Sequence, residues 1–107
     1  MKIYVILSGY SENVTESGTL MTDCFEGAAL SEESAKQMLC DIVEKHCAGD
    51  PYLERIDAPK GDPIIPETAV VLDDSLHELC FRNTYWYYYK EYEIRDWIDG
   101  LTSKEGD

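Results

Sequence analysis

The sequence feature that most constrains the fold is an aromatic stretch near the C-terminus, "NTYWYYYKEYEIRDW", residues 83–97. It holds seven of the twelve aromatic residues in the chain. Within it, residues 84–94 alternate with the period of two that is typical of a long β-strand, because successive side chains of a strand point to opposite faces of the sheet. Rings this large either fill a core or present a binding surface, so the face that each ring occupies matters for function.

The alternation divides the side chains of this strand between two faces. One face carries Trp86, Tyr88, Tyr92 and Ile94, interrupted by Lys90, and the other carries Tyr85, Tyr87, Tyr89, Glu91 and Glu93. A helix needs an apolar sheet face to cover, and the Trp86 face is the more apolar of the two. We therefore expect a helix on the Trp86 face, and we expect the tyrosine row (Tyr85, Tyr87 and Tyr89) to face solvent or a partner.

The clearest local element is a helix over residues 32–47. Ser31 is a favourable N-cap, and two acidic residues follow it in the first turn, where the helix dipole favours negative charge. Gly49 and Pro51 end the helix. An apolar stripe with the spacing of one buried helix face comprises Ala35, Met38, Leu39, Ile42, Val43 and His46. This stripe predicts that the helix packs on the sheet.

The other segments predict an α+β fold in which a small antiparallel sheet of about four strands has one main helix packed on one face. Strands are expected at residues 2–8, 19–27, 68–74 and 84–94, with a loop at 9–18 and a short edge strand at 52–56. Residues 51–67 hold all four prolines and are mostly a connector.

The ends of the chain and one internal segment are less regular. Residues 75–81 fit either a helical turn or a strand, and Trp97, Ile98 and Leu101 predict a short closing helix. We expect a single domain over residues 1–101, followed by a disordered tail, residues 102–107.

Charge is the second constraint on function. The chain has 22 acidic against 9 basic residues, a net charge of −13. No basic residue lies between Lys2 and Lys36, and none lies between Lys60 and Arg82. Such a field repels nucleic acids and anionic membranes and attracts basic surfaces. It argues against direct binding of DNA or RNA.

The sequence carries no catalytic or metal-binding motif. The four cysteines include no C-x-x-C pair, and there is no phosphate-binding glycine loop, no nucleophile elbow and no H-E-x-x-H. Asp73, Asp74 and His77 are close in sequence, but an Asp-Asp pair is more typical of a turn. We expect a non-enzymatic protein without metal or cofactor. The apolar run "IYVIL" is too short for a signal peptide, which predicts a cytoplasmic location.

Four segments, "MKIYVILSGYS", "GTLMTDCF", "SEESAKQML" and "YYYKEYEI", resemble in pattern and order a type of small phage and mobile-element protein with a strand-strand-helix-strand plan. The resemblance covers about half of the chain and implies an α+β fold and a bacterial or phage origin. In size and acidity the chain is also similar to anti-CRISPR inhibitors, many of which mimic the charge of nucleic acid in the groove of a CRISPR effector nuclease. That similarity implies the cytoplasm of a bacterial host cell.

Charge and aromatic residues together predict an interaction protein that binds a basic nucleic-acid-binding protein, because tyrosines supply rigid contact area beside carboxylates. The candidate contact residues are Tyr85, Tyr87, Tyr89, Glu91 and Glu93, with Glu12, Glu16, Asp73 and Asp74 as weaker candidates. The alternative is a small self-associating scaffold or regulatory module that uses an exposed tyrosine face. The protein is accordingly expected to be a monomer or a homodimer.

Overall fold

The computed structural model describes residues 1–13, 20–74 and 82–95, and in these ranges it forms one antiparallel sheet with one long helix. The elements are β1 (Lys2–Asn13), β2 (Leu20–Ala29), α1 (Glu32–Gly49), β3 (Glu54–Ile56), β4 (Val70–Asp73) and β5 (Arg82–Glu93). The strand order is β2-β1-β5-β4-β3. The α+β class is confirmed, with five strands rather than about four. The expectations for residues 75–81, the closing helix and the tail lie outside the described residues.

The centre of the sheet is the long pairing of β1 with β5. It is antiparallel and runs from Lys2 opposite Glu93 to Asn13 opposite Arg82. β1 therefore extends well beyond the expected end at residue 8. Residues 9–13, which were expected in a loop, pair with β5 instead, a partner that local sequence does not reveal.

Helix α1 forms as its local sequence predicts. The Ser34 backbone N–H donates to the Ser31 side-chain oxygen at 3.2 Å, which caps the N-terminus. The helix continues through Gly49, two residues beyond the expected end. Its apolar stripe packs inward, with Ala35 and Leu39 buried, and this confirms the prediction from periodicity.

The side of the sheet that α1 covers corrects the sequence expectation. The helix lies on the tyrosine row rather than on the Trp86 face. Tyr87 is only 8% exposed and packs in one cluster with Ile6, Leu39 and Leu72. A tyrosine can be buried beneath a helix when its ring packs and its hydroxyl reaches a polar partner. Tyr87 meets this condition through His46 of α1, at 2.7 Å.

The Trp86 face is covered by the proline-rich connector instead. Val5, Leu7, Val71, Trp86 and Tyr88 form the second buried cluster, and Ile56, Ala58, Ile65 and Ala69 pack against it. Both faces of the sheet are therefore buried at its centre. The more apolar face does not need the helix, because the apolar side chains of the connector exclude water from it.

Trp86 is buried because Gly9 leaves room for its ring. A Cβ atom on Gly9 would lie 2.0 Å from Cε2 of Trp86, well inside van der Waals contact. The two residues are direct partners in the β1–β5 register. The indole ring thus lies across the backbone of β1, where any other residue would displace it.

Candidate protein-binding surface

The tyrosine row is mostly an internal surface between β5 and α1. Tyr85 packs edge-to-face on His46, with ring centroids 4.5 Å apart. The Tyr89 hydroxyl donates to Glu32 Oε1 of the helix at 3.0 Å. Burial is the main cause that raises the pKa of Tyr87 to about 12, and nearby Glu26 adds to it. These three rings contact the helix, and of the three Tyr87 is buried whereas Tyr85 and Tyr89 are half-buried.

The acidic candidates on the same face remain accessible, but Glu12 lies far from Glu91 and Glu93. Glu91 is exposed and pairs with Lys2 Nζ at 2.7 Å, and Glu93 lies 3.5 Å from the N-terminal amino group. Glu12 is half-exposed at the opposite end of β1, opposite Asn83. At the rise of an extended strand this separation is about 30 Å. The structure therefore does not bring Glu12 together with Glu91 and Glu93.

Asp73 and Asp74 are buried, which corrects their assignment to a contact surface. They are 1% and 4% exposed. Asp73 accepts a hydrogen bond from the Thr84 hydroxyl at 3.3 Å, and the Asp74 backbone N–H donates to the Asn83 carbonyl at 3.0 Å. The reason is strand order, since β4 lies between β3 and β5 inside the sheet. Glu16, the remaining candidate, lies outside the described residues.

The surface that sequence reasoning missed is the edge strand β2. In the described part of the chain no strand pairs with its outer side. We define the β2 edge by its exposed apolar side chains, Leu20, Met21 and Phe25, and its exposed carboxylates, Asp23 and Glu26. Phe25 is 69% exposed. The alternating pattern of residues 19–27 predicted the strand but contained no signal that it lies at an edge.

Neutral hydroxyl groups hold both carboxylates of the β2 edge. The Ser8 hydroxyl donates to Glu26 Oε1 at 2.6 Å, and the Tyr88 hydroxyl donates to Asp23 Oδ1. Burial raises the pKa of Tyr88, and Asp23 raises it further, so Tyr88 keeps its proton and remains a donor at neutral pH. Because both donors are neutral hydroxyl groups, these bonds orient the carboxylates without offsetting their negative charge.

An irregularity in the β1–β2 pairing directs Asp23 over the sheet. The register shifts between Ile6 and Leu7 and again between Ser8 and Tyr10. Asp23 lies in the second irregularity with a backbone φ of 54°, a left-handed conformation that aspartate tolerates better than most residues. Bulges of this kind re-aim side chains at sheet edges. Here the bulge brings Asp23 to Tyr88 on the face that the connector covers.

A groove of about 380 Å³ lies between β2 and the connector. Its lining includes Thr22, Asp23, Asp62, Trp86, Tyr88 and Lys90. The Asp62 carboxylate accepts the backbone N–H groups of Ile64 and Ile65 at 2.7 and 2.9 Å, and these bonds lower the pKa of Asp62. Asp23 and Asp62 thus present two carboxylates, against the single ammonium of Lys90, beside aromatic rings.

Comparison with protein-family models, with curated proteins and with solved structures finds no match to this chain. Among the described residues, no cluster of three or more histidine, cysteine or acidic side chains could hold a metal ion. None of the helical segments in the described ranges is long and apolar enough to cross a membrane.

Proposed function

We propose that this chain is a non-enzymatic acidic interaction protein that binds a basic nucleic-acid-binding protein and blocks it by nucleic-acid mimicry. A CRISPR effector nuclease in a bacterial host cell is the candidate partner under this proposal. The single observation that carries it is the spread of accessible carboxylates over the folded surface of a chain with a net charge of −13. Such a surface attracts the Lys/Arg groove that otherwise holds phosphates.

The distribution of acid over the fold supports the proposal. Exposed or half-exposed carboxylates lie on β1, β2, α1, β3 and β5. The outward side of α1 carries Glu33, Asp41 and Glu44, all exposed, and Asp41 is oriented by a hydrogen bond from the Gln37 amide at 2.9 Å. These positions run along about 16 Å of helix. Three exposed carboxylates along this length form a row of negative charge comparable to that of a few phosphates of one nucleic-acid strand.

The alternative is self-association through an exposed tyrosine face, but little of that face is accessible. Helix α1 covers Tyr87, and the hydroxyls of Tyr87 and Tyr89 already bind helix residues. A second copy would have to use another surface against the repulsion of two strongly acidic molecules. We therefore favour a basic partner over a second copy of this chain.

The test is a competition experiment. The protein serves as bait in a nuclease-treated bacterial lysate, and retained proteins are eluted with rising salt, which screens ion pairs. A retained protein is then titrated with its own nucleic acid in the presence of increasing amounts of this chain. Three neutral substitutions on α1, Glu33→Gln, Asp41→Asn and Glu44→Gln, should weaken the competition together. Lys45→Gln, an exposed helix position of opposite sign, should leave it intact or strengthen it.

Two results would overturn the proposal. One is a retained protein that binds this chain and its nucleic acid at the same time, since mimicry requires mutual exclusion. The other is recovery of copies of this chain alone, eluting as a dimer, which would move the function to self-association.

A further inference from the structure

We propose that the β2 edge binds an extended segment of the partner, with apolar and basic side chains, as a sixth strand of the sheet. This inference rests on the proposed function and names the chemistry of the partner at one surface. Arginine is the basic residue that the adjacent groove fits best. The following observations carry the inference.

The backbone of β2 offers the hydrogen-bonding template. An edge strand presents a row of N–H and C=O groups to which an added strand can bind, and in β2 this row is interrupted by the irregularity at Asp23. β2 is ten residues long, whereas β3 at the opposite edge has three. Natural edges are commonly short or protected by inward-pointing charge. β2 is long and combines exposed apolar side chains with carboxylates, a combination that suits a charged partner strand.

The side chains of the β2 edge offer both apolar area and charge on each face of the sheet. Phe25 pairs with Leu7 and so lies on the Trp86 face, where Asp23 also bonds to Tyr88. Met21 pairs with Tyr10 on the helix face, where Glu26 bonds to Ser8. A docked strand with basic and apolar residues therefore finds complementary neighbours on either face.

The charge of the β2 edge selects a basic segment over a second copy. A copy of β2 would place its own Asp23 and Glu26 near the same carboxylates, and opposed like charges destabilise a strand pair. The whole chain adds its net charge of −13 to that repulsion. A segment with lysine or arginine is attracted both by the carboxylates of the β2 edge and by the net charge of the chain.

The groove beside β2 accounts for the preference for arginine. Its lining includes the carboxylates Asp23 and Asp62, together with the buried residues Trp86 and Tyr88. A planar guanidinium can bind carboxylates with a fork of N–H donors, which a compact ammonium does not offer. Lys90 also lines the groove, with its ammonium 6.0 Å from the Tyr88 ring centroid. The negative charge of the two carboxylates exceeds the single positive charge of Lys90.

The experiment uses two synthetic ten-residue peptides of equal charge, one alternating arginine with valine and one alternating arginine with proline. Proline cannot donate a backbone hydrogen bond, so the second peptide retains charge but cannot form a strand. Binding to the full chain is measured by calorimetry, and the site by amide shifts and hydrogen exchange in the NMR spectrum. We expect the arginine-valine peptide to protect β2 amides and to bind at least about tenfold more tightly than the proline peptide.

Substitutions in the chain locate the contact. Phe25→Ser and Glu26→Lys should each lower the affinity for the arginine-valine peptide by about tenfold or more. Asp23→Asn keeps the side-chain shape and tolerates a left-handed backbone, and it should weaken binding of the arginine-valine peptide more than binding of a matched lysine-valine peptide. Glu54→Lys on β3, at the opposite edge of the sheet, is the matched charge control, and Tyr52→Ser, between α1 and β3, is the matched apolar control. Both controls should retain binding to within about twofold of the wild type.

Equal binding of the two peptides, or amide shifts that map to α1 and leave β2 unchanged, would overturn the inference. So would a concentration-dependent dimer that protects the same β2 amides without peptide. Failure of the proposed function is distinguishable. If a retained partner is still displaced from nucleic acid by the Phe25→Ser variant, the result supports nucleic-acid mimicry and contradicts the β2 site. If no basic protein or peptide binds, both proposals fall.

Discussion

The Tyr87 hydroxyl lies 2.7 Å from Nδ1 of His46, beneath helix α1. One hydrogen bond thus joins the middle of the tyrosine row to the last residue of the helix stripe. The two side chains are 41 positions apart in sequence. This bond allows a phenol to occupy the helix–sheet core.

Removal of this hydrogen bond should weaken the packing of α1 on the sheet. Tyr87→Phe keeps the ring but leaves the His46 nitrogen without its partner, and we expect the free energy of unfolding to fall by about 1 kcal/mol. Urea denaturation followed by circular dichroism measures the change. Tyr89→Phe is the control, because its partner Glu32 is exposed and can bind water instead. Equal losses in the two variants would show that the bond to His46 has no special weight.

Stability should fall at alkaline pH. Burial raises the pKa of Tyr87 to about 12, above its ordinary value of 10.0. The folded state therefore holds this proton more tightly than the unfolded chain does, and the resulting stabilisation is complete below about pH 10. It is lost as the pH rises through about 12. Urea denaturation between pH 8 and pH 12 should show a decline that is shallower in Tyr87→Phe, and parallel declines would contradict this assignment.

Two glycines of the sheet should respond differently to alanine. Gly9→Ala places a methyl group against the rigid indole of Trp86, and such overpacking costs about 1–3 kcal/mol. At Gly27 the nearest atom to a new Cβ is the Met38 sulfur at 2.8 Å, which a flexible side chain can move. Gly27→Ala should therefore be much milder. Thermal denaturation of both variants, with tryptophan fluorescence as the readout, checks this order.

Reversal of the charge at the exposed acidic end of β5 should leave the fold intact. Glu91→Lys combined with Glu93→Lys removes two surface ion pairs, to Lys2 and to the N-terminal amino group, and surface pairs contribute little to stability. We expect a thermal midpoint close to that of the wild type and weaker binding of a basic partner. Unfolding of this variant would mean that the end of the β1–β5 pair depends on these charges.

Local sequence was sufficient for the elements whose signals are contained within a few residues. The cap at Ser31, the stripe through Leu39 and the alternation over residues 84–94 each predicted an element that the structure contains. The periodicity also predicted correctly that Tyr85, Tyr87 and Tyr89 share a face with Glu91 and Glu93, because a strand has a fixed period of two.

Tertiary structure alone decided what covers each face and which strand lies at the edge. A period of two separates side chains into two sets but does not say which segment packs on either set. The helix lies on the tyrosine row, where His46 binds Tyr87, and the connector covers the Trp86 face, where Gly9 leaves room for the indole ring. The exposure of Phe25 follows from the pairing of β1 with β5, which leaves β2 outermost. Each of these outcomes depends on contacts between residues distant in sequence, which a local pattern does not contain.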